Sequence, residues 1–296
     1  MVLTRSRTVQ TSLGFALVAL VCLLFADLQV RTAEPWGQVG QLLGGLIQPD
    51  FSNAGEIGWA LLRTVAFGFV GVGLAAVAGA LLALVFQWRI VRLGCAFVRA
   101  IHELFWALIF LQIFGMHPIT GVLAIAIPFA GAFGKVYAEI MEETDPGPAR
   151  ALPHGTGLIS TFAFTWVPQA WPHLRSYTSY RLECALRSSA VLGFVGLPTL
   201  GYHLESAFSQ SAYSQVGALL LTFYVLIGTL RYWALPWLVP VYLAAAPFFL
   251  GTGLPIVWGN VERFFTEDIV PRPLRQGEGL AGLADWLGDV LLTQAL

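Results

Sequence analysis

The stretch "TVAFGFVGVGLAAVAGALLALVF", Thr64–Phe86, runs for 23 residues without an ionisable side chain. A helix that crosses the hydrocarbon core of a bilayer needs roughly 20 predominantly apolar residues, so this stretch makes the chain a membrane protein. Composition agrees. Of 296 residues, 57% are hydrophobic and only 11% are charged, more apolar material than a soluble domain of this length buries in one core. Gly68, Gly71, Gly73 and Gly79 recur along the stretch. Small residues let helix backbones approach closely in a bilayer, so these glycines are expected to be packing contacts.

Working outward, six further apolar windows appear: Thr11–Val30, Glu103–Met116, Pro118–Gly134, Ser188–Gly201, Val216–Leu230 and Trp233–Val257. They predict about seven crossings of an all-α membrane protein. Ser188–Gly201 is short enough to be re-entrant or broken instead of a straight span. The first window follows "MVLTRSR", a charged start that also suits a signal peptide, but "FADLQVRTAEPWG" is a poor small-residue cleavage site, and a retained span is expected. Cys22, Cys95 and Cys184 share no metal-ligand or CxxC spacing, and they read as small buried hydrophobes.

Lys and Arg on alternate sides of these windows orient the chain. With the N-terminus inside, the cytoplasmic face collects Arg5, Arg7, Arg89, Arg92, Arg99, Lys135, Arg150, Arg175, Arg181, Arg187 and Arg231, whereas the outer face before the last span holds Arg31 and Arg63. An odd number of spans then puts the C-terminal tail outside.

One cytoplasmic interval cannot lie in hydrocarbon. "DPGPARALPHGTGLISTFAFTWVPQAWP", Asp145–Pro172, is punctuated by Pro and Gly yet contains helix-forming pieces. Pro146 and Pro148 are expected to break the preceding helix, His154-Gly155-Thr156-Gly157 to turn, and "ISTFAFTWVP" to resume as an amphipathic segment. An exposed helix–turn–helix of this kind is a shape that a soluble partner grips.

A second feature is internal. "WGQVGQLLGGLIQP", Trp36–Pro49, and "WGNVERFFTEDIVP", Trp258–Pro271, share W-G-x-V-x7-I-x-P at a constant offset of 222 residues. Each reads as a short helix in the interface with Trp at headgroup depth, and the register predicts a true repeat. The expected organisation is residues 1–57 as an N-terminal span and periplasmic interfacial helix, 58–232 as a core with a loop at 139–172, and 233–296 as an extra span and a tail like the start of a second unit. The complementary half is then expected on a separate polypeptide.

Ala151, Gly155 and Pro168 form Ala-x-x-x-Gly followed thirteen residues later by Pro. This resembles the EAA loop of binding-protein-dependent ABC importer permeases, with Ala149 or Arg150 where the usual Glu stands. The flanks, "RAIHELFWALIF" (Arg99–Phe110), "GKVYAEIMEETDPGPARAL" (Gly134–Leu152) and "VPQAWPHLRSYTSYRLECALRSSAVLGFVG" (Val167–Gly196) with Gly201, look like the permease subunit of phosphonate ABC importers. The resemblance spans roughly residues 59–230. It implies a five-helix permease core, with one added span at each end, and a coupling helix that inserts into a groove of a cytoplasmic ABC ATPase dimer. Ala149, Arg150, Ala151, Leu152, His154, Gly155 and Pro168 would make that contact. It further implies a periplasmic substrate-binding protein and a second permease subunit, for which a distinct chain is expected over an identical copy. ATP and Mg would be bound by the ATPase subunits, with no cofactor, metal or catalytic residue in this chain. "LPHGTG" lacks Walker spacing and its Lys.

Several residues carry two readings. Glu183 and Arg187 are spaced to pair on a helix; they either hold a cytoplasmic gate or snorkel at the interface. Ser188, Gly193, Gly196, Pro198 and Gly201 permit a broken helix lining a pathway, against simple small-residue packing. Leu197-Pro198 depart from the small residues usual in the family. His102 and Glu103 are adjacent, and neighbours on a helix diverge, so no catalytic or metal pair is expected there. The resemblance favours import of a phosphonate or related phosphorus oxyanion, with another small solute as the alternative. A secondary transporter or channel would place ionisable groups mid-span, and an intramembrane enzyme would cluster them; neither pattern is visible. Nothing here suggests nucleic-acid binding.

Overall fold

The computed structural model describes residues 7–26, 35–153, 155–235, 237–251, 255–277 and 279–294. It is all-helical, with 81% of residues in helices. Residues divide into two compact units, Met1–Gly44 and Gly45–Leu296. The first contains α1 (Arg7–Phe25) and most of α2 (Pro35–Ile47). Leu13, Phe15, Leu17, Leu20 and Leu24 stand exposed along α1, as expected of a helix whose solvent is lipid.

The second unit is organised on α3 (Ala54–Leu84) and α6 (Pro118–Glu142), the two helices among the described residues that are long and apolar enough to cross a membrane. They pack because glycines remove the side chains that would separate them. A Cβ at Gly71 would lie 2.9 Å from Ile125, and one at Gly79 would lie 2.3 Å from the Phe133 Cβ. Gly68 does the same against Leu186 of α9 (Val167–Gly193) and Gly73 against Leu243 of α13 (Val239–Leu250). All four glycines singled out in the sequence are therefore packing contacts, each toward a different neighbour or register.

The remaining helices correct several window boundaries. Glu103–Met116 yields α5 (Glu103–Phe114), only 12 residues, or about 18 Å. It meets the amphipathic α4 (Arg89–Ala100) at a bend of 91°, and the bend is held by the Trp106 indole N–H donating to the Val98 carbonyl at 3.1 Å. α6 runs past Gly134 to Glu142, and Lys135 and Glu139 pair at 3.3 Å along its last turns. A tight turn at Gly115 (φ 67°) joins α5 to α6, and the Thr120 hydroxyl closes it by donating to the Gly115 carbonyl at 2.8 Å.

Ser188–Gly201 is not a span of its own. It straddles the end of α9 (Val167–Gly193, 27 residues), a turn, and the start of α10 (Leu200–Ser209). Hydropathy missed α9 because its first half is polar: Tyr177, Thr178 and Arg181 face neighbouring helices, with the Tyr137 and Thr178 hydroxyls 2.6 Å apart between α6 and α9. α11 (Tyr213–Gly228) follows, then the short α12 (Leu230–Trp233). Trp233–Val257 is likewise broken: α13 (Val239–Leu250) ends at Gly251, φ 71°. Both W-G-x-V segments start helices: α2 starts one residue before Trp36, and α14 (Trp258–Arg263) starts at Trp258 and passes into a π-turn at Phe264–Asp268. The chain closes with α15 (Arg272–Arg275) and α16 (Gly279–Gln294).

Candidate functional site

The elbow between α6 and α9 is built from local hydrogen bonds. After α6 ends, the Asp145 carboxylate accepts from the Gly147 N–H at 2.8 Å, which starts α7 (Gly147–Arg150) with Pro148 in its first turn. Pro146 and Pro148 thus initiate a new turn; the α6 helix has already stopped at Glu142, because proline suits a helix start where its missing N–H has no partner to lose. Ala149 and Arg150 lie on α7, and Ala151 caps it. Leu152 follows, while His154 lies outside the described residues. The chain reverses at Gly155, whose φ of 98° is a backbone conformation that favours glycine. No atom lies within 4 Å of where its Cβ would be.

The return strand of the elbow is α8 (Leu158–Thr161), a π-turn over Phe162–Trp166, then α9. The widened turn sits directly before Pro168. That ring removes one N–H and would crowd the carbonyl four residues back, and the Val167 N–H reaching Phe162 instead relieves it. Gln169 closes the loop, donating from Nε2 to the Thr165 carbonyl at 2.8 Å and to the Asp145 carbonyl at 3.4 Å. Phe164 and Trp171 are left exposed, at 78% and 58%. These aromatic side chains were not singled out in the sequence; the amphipathic spacing of "ISTFAFTWVP" was the available signal.

At the far end of α9, about 40 Å along its axis, the expected helix break is present. Gly193 is the last residue of α9. A Cβ there would lie 2.1 Å from the Tyr202 nitrogen and 2.2 Å from the Gly201 carbonyl carbon, so α9 and α10 touch backbone to backbone. Gly196 turns the chain with φ 87° and faces the Met116 methyl. Leu197 is buried against Phe67 and Gly121, whereas Pro198 is exposed. A buried polar strut fixes the corner: Thr199 Oγ1 donates to the Ser189 carbonyl at 3.1 Å, and the Leu200 N–H donates to Thr64 Oγ1 at 3.0 Å while that hydroxyl donates to Ala60.

Thr64 and Leu200 are fully buried. Thr64→Val therefore leaves the Leu200 N–H without an acceptor, and the expected loss is about 1–3 kcal/mol, read as a lower melting temperature in detergent. Thr64→Ser, which keeps the hydroxyl, should stay within about 1 kcal/mol of wild type.

Glu183 and Arg187 pair as the spacing predicts, on a solvent-facing stripe of α9 with 35% and 58% of their side chains exposed. No other element contributes a partner to them among the described residues. Ser188 behaves differently. Its hydroxyl donates to Glu103 at 2.6 Å, tying α9 to the start of α5. His102 is not helical but extended (φ −64°, ψ 146°), capping α5 by accepting the Leu104 N–H at its Nδ1. That conformation returns its Nε2 to 3.6 Å from the Glu103 carboxylate, so the expected divergence of this pair fails because only one of the two residues lies on the helix. The Ser188–Glu103 contact spans 85 residues, beyond any local pattern.

A long central helix pair, an elbow and a helix that ends at glycine make up an all-helical bundle with apolar helices. The fold matches a solved amino acid ABC transporter: TM-score 0.53 at 16% identity, covering 66% of this chain and 98% of the other. No protein-family model matches the chain. It is 30% identical over 112 residues to the putative cryptic phosphonate transport system permease protein PhnE2 of Escherichia coli, covering 92% of that protein and 38% of this chain. It is 31% identical over 197 residues to the phosphate-import permease protein PhnE of Mycolicibacterium smegmatis, covering 63% of this chain and 37% of that one. The chain belongs to the family of phosphonate and phosphite transport-system permease proteins. It spans little over a third of the length of the Mycolicibacterium relative.

Proposed function

We propose that this chain is the transmembrane permease subunit of an ATP-driven importer for a phosphonate or a related phosphorus oxyanion. It is a non-catalytic subunit that forms the translocation pathway, with about seven spans in a bacterial inner membrane. The N-terminus is cytoplasmic and the C-terminus periplasmic, on the distribution of Lys and Arg. A periplasmic binding protein delivers the solute. A cytoplasmic ATPase dimer holds ATP and Mg, and a second, distinct permease chain completes the pathway, as the W-G-x-V-x7-I-x-P repeat suggests.

The observation that carries this reading is the elbow. It projects Ala149, Arg150, Ala151 and Leu152 beside a Gly155 turn with open space around it, and it is joined to the Gly193–Gly201 corner by one uninterrupted helix, α9. A push on the elbow by a closing ATPase pair thus moves α9 as a rod and reaches the corner, where Gly193, Gly196, Pro198 and Gly201 line the proposed gate. Ser188 would couple that movement to α5, and the Glu183–Arg187 pair would stiffen α9.

The test is reconstitution of the chain with its ATPase, second permease and binding protein. Phosphonate-loaded binding protein should stimulate ATP hydrolysis and uptake together; uptake that proceeds without ATP identifies a channel or ion-coupled carrier instead. Gly155→Trp gives a narrower check. The positive φ adds roughly 1–2 kcal/mol of backbone strain in a place with no packing to disturb, so the fold should survive. ATPase co-purification should fall at least about tenfold, and normal association in that variant would remove the elbow from the docking role.

A further inference from the structure

A cleft of about 550 Å³ opens between α4, α5, α6 and α9. Its walls carry Arg99, His102, Glu103, Phe129, Tyr177 and Arg181. Arg181 is held in an unusual way. Its Nε donates to the Tyr177 hydroxyl at 2.8 Å, and its guanidinium carbon lies 5.3 Å from the ring centroids of both Phe129 and Tyr177 and 5.9 Å from Tyr180. Aromatic faces hold a guanidinium by its plane and leave its edge available. Among the described residues no carboxylate lies within ion-pair distance of Arg181 or Arg99.

The acid in the cleft is already engaged. Glu103 accepts from Ser188 at 2.6 Å and faces His102 Nε2 at 3.6 Å. Arg99 also borders a neighbouring cleft that holds Lys135, Glu139 and Glu142, where Lys135 and Glu139 pair with each other. Two arginines thus line one cleft without a carboxylate among the described residues at ion-pair distance from either, while Glu103 is hydrogen-bonded to Ser188.

We propose that this cleft binds a tetrahedral phosphorus oxyanion, held edge-on by Arg181 and from the α4 side by Arg99. The geometry suits a planar fork meeting two oxygens of one phosphoryl group. The inference rests on the permease reading and deepens it: the cleft is a station for the solute inside the membrane subunit. The same oxyanion chemistry is offered by a free solute and by a phospholipid head group.

The experiment is direct binding to the full chain in phosphatidylcholine nanodiscs, followed by phosphorus NMR with methylphosphonate, phosphite and inorganic phosphate as probes. Arg181→Gln and Arg99→Gln should each weaken binding at least about tenfold, the loss of one charge-assisted contact. Arg181→Lys should recover only part of it, because an ammonium lacks the fork and the Nε anchor. Tyr177→Phe should weaken binding severalfold, while Arg89→Gln, remote from the cleft, should bind as wild type. A second arm adds phosphatidylglycerol. Retention of that lipid that depends on Arg181, without binding of the soluble probes, assigns the site to a head group. Probe and lipid binding unchanged in both arginine variants overturns the proposal. The measurement needs neither ATPase nor binding protein, so its failure is distinct from a failure to stimulate ATP hydrolysis.

Discussion

Gly79→Ala is expected to leave little correctly folded protein. A single methyl there would sit 2.3 Å from the Phe133 Cβ and 3.0 Å from the Gly134 nitrogen. Those atoms belong to the backbone, or to the first carbon of a side chain, so rotamer changes cannot clear them. α3 and α6 must separate along their length, and the cost should exceed the roughly 1–3 kcal/mol typical of overpacking. Two variants on the same helix calibrate the result. Gly73→Ala meets the far end of Leu243 at 3.0 Å, which can rotate away, and should lower stability by no more than about 1 kcal/mol. Gly58→Ala has nothing within 4 Å and should gain about 0.5–1 kcal/mol from helix propensity. Yield and melting temperature of the three in one detergent measure the series; equal behaviour of Gly79→Ala and Gly58→Ala would show that α3 and α6 do not pack as described.

Gly193→Ala carries the second large effect, at the corner where α9 stops. Its Cβ would lie 2.1 Å from the Tyr202 nitrogen and 2.2 Å from the Gly201 carbonyl carbon, again with no flexible side chain to yield. The corner must open by a large fraction of an ångström or more, which also stretches the buried Thr199–Ser189 and Leu200–Thr64 bonds. The expected loss is above about 3 kcal/mol. Because α3 and α6 also meet each other away from this corner, at Gly71 against Ile125 and Gly79 against Phe133, a partly folded protein is expected. Hydrogen exchange should rise first at residues 194–209, while α3 and α6 stay protected. Uniform protection together with wild-type uptake would remove the corner from both the fold and the proposed gate.

The two predictions differ in how far the residues could be read from sequence. The glycines of α3 were visible as small residues in an apolar run, and that period alone announced helix packing. Which glycine meets Phe133 and which meets Leu243 was not visible, because the partners lie on helices tens of residues away. At the corner, Gly193, Gly196 and Gly201 announced a break, and hydropathy drew a short window around it without joining it to the rest of α9. The polar first half of α9 misled the window: Tyr177, Thr178 and Arg181 look interfacial in one dimension and turn out to face α6 and the cleft. His102 and Glu103 show the opposite error, a rule for helical neighbours applied to a residue that caps the helix from outside it. The elbow was the most legible element, since Asp145, the prolines and Gly155 act on their own nearest neighbours through turn chemistry.

Membrane residence, helical class and the presence of an elbow were determined by the sequence itself, because apolar run length and Pro/Gly turn chemistry act within a few residues along the chain. The helix contacts, the Ser188–Glu103 tie and the placement of Arg181 on its aromatic platform were decided only by tertiary structure. Each depends on which faces of distant helices meet, and that is set by close packing of the whole bundle rather than by any local preference.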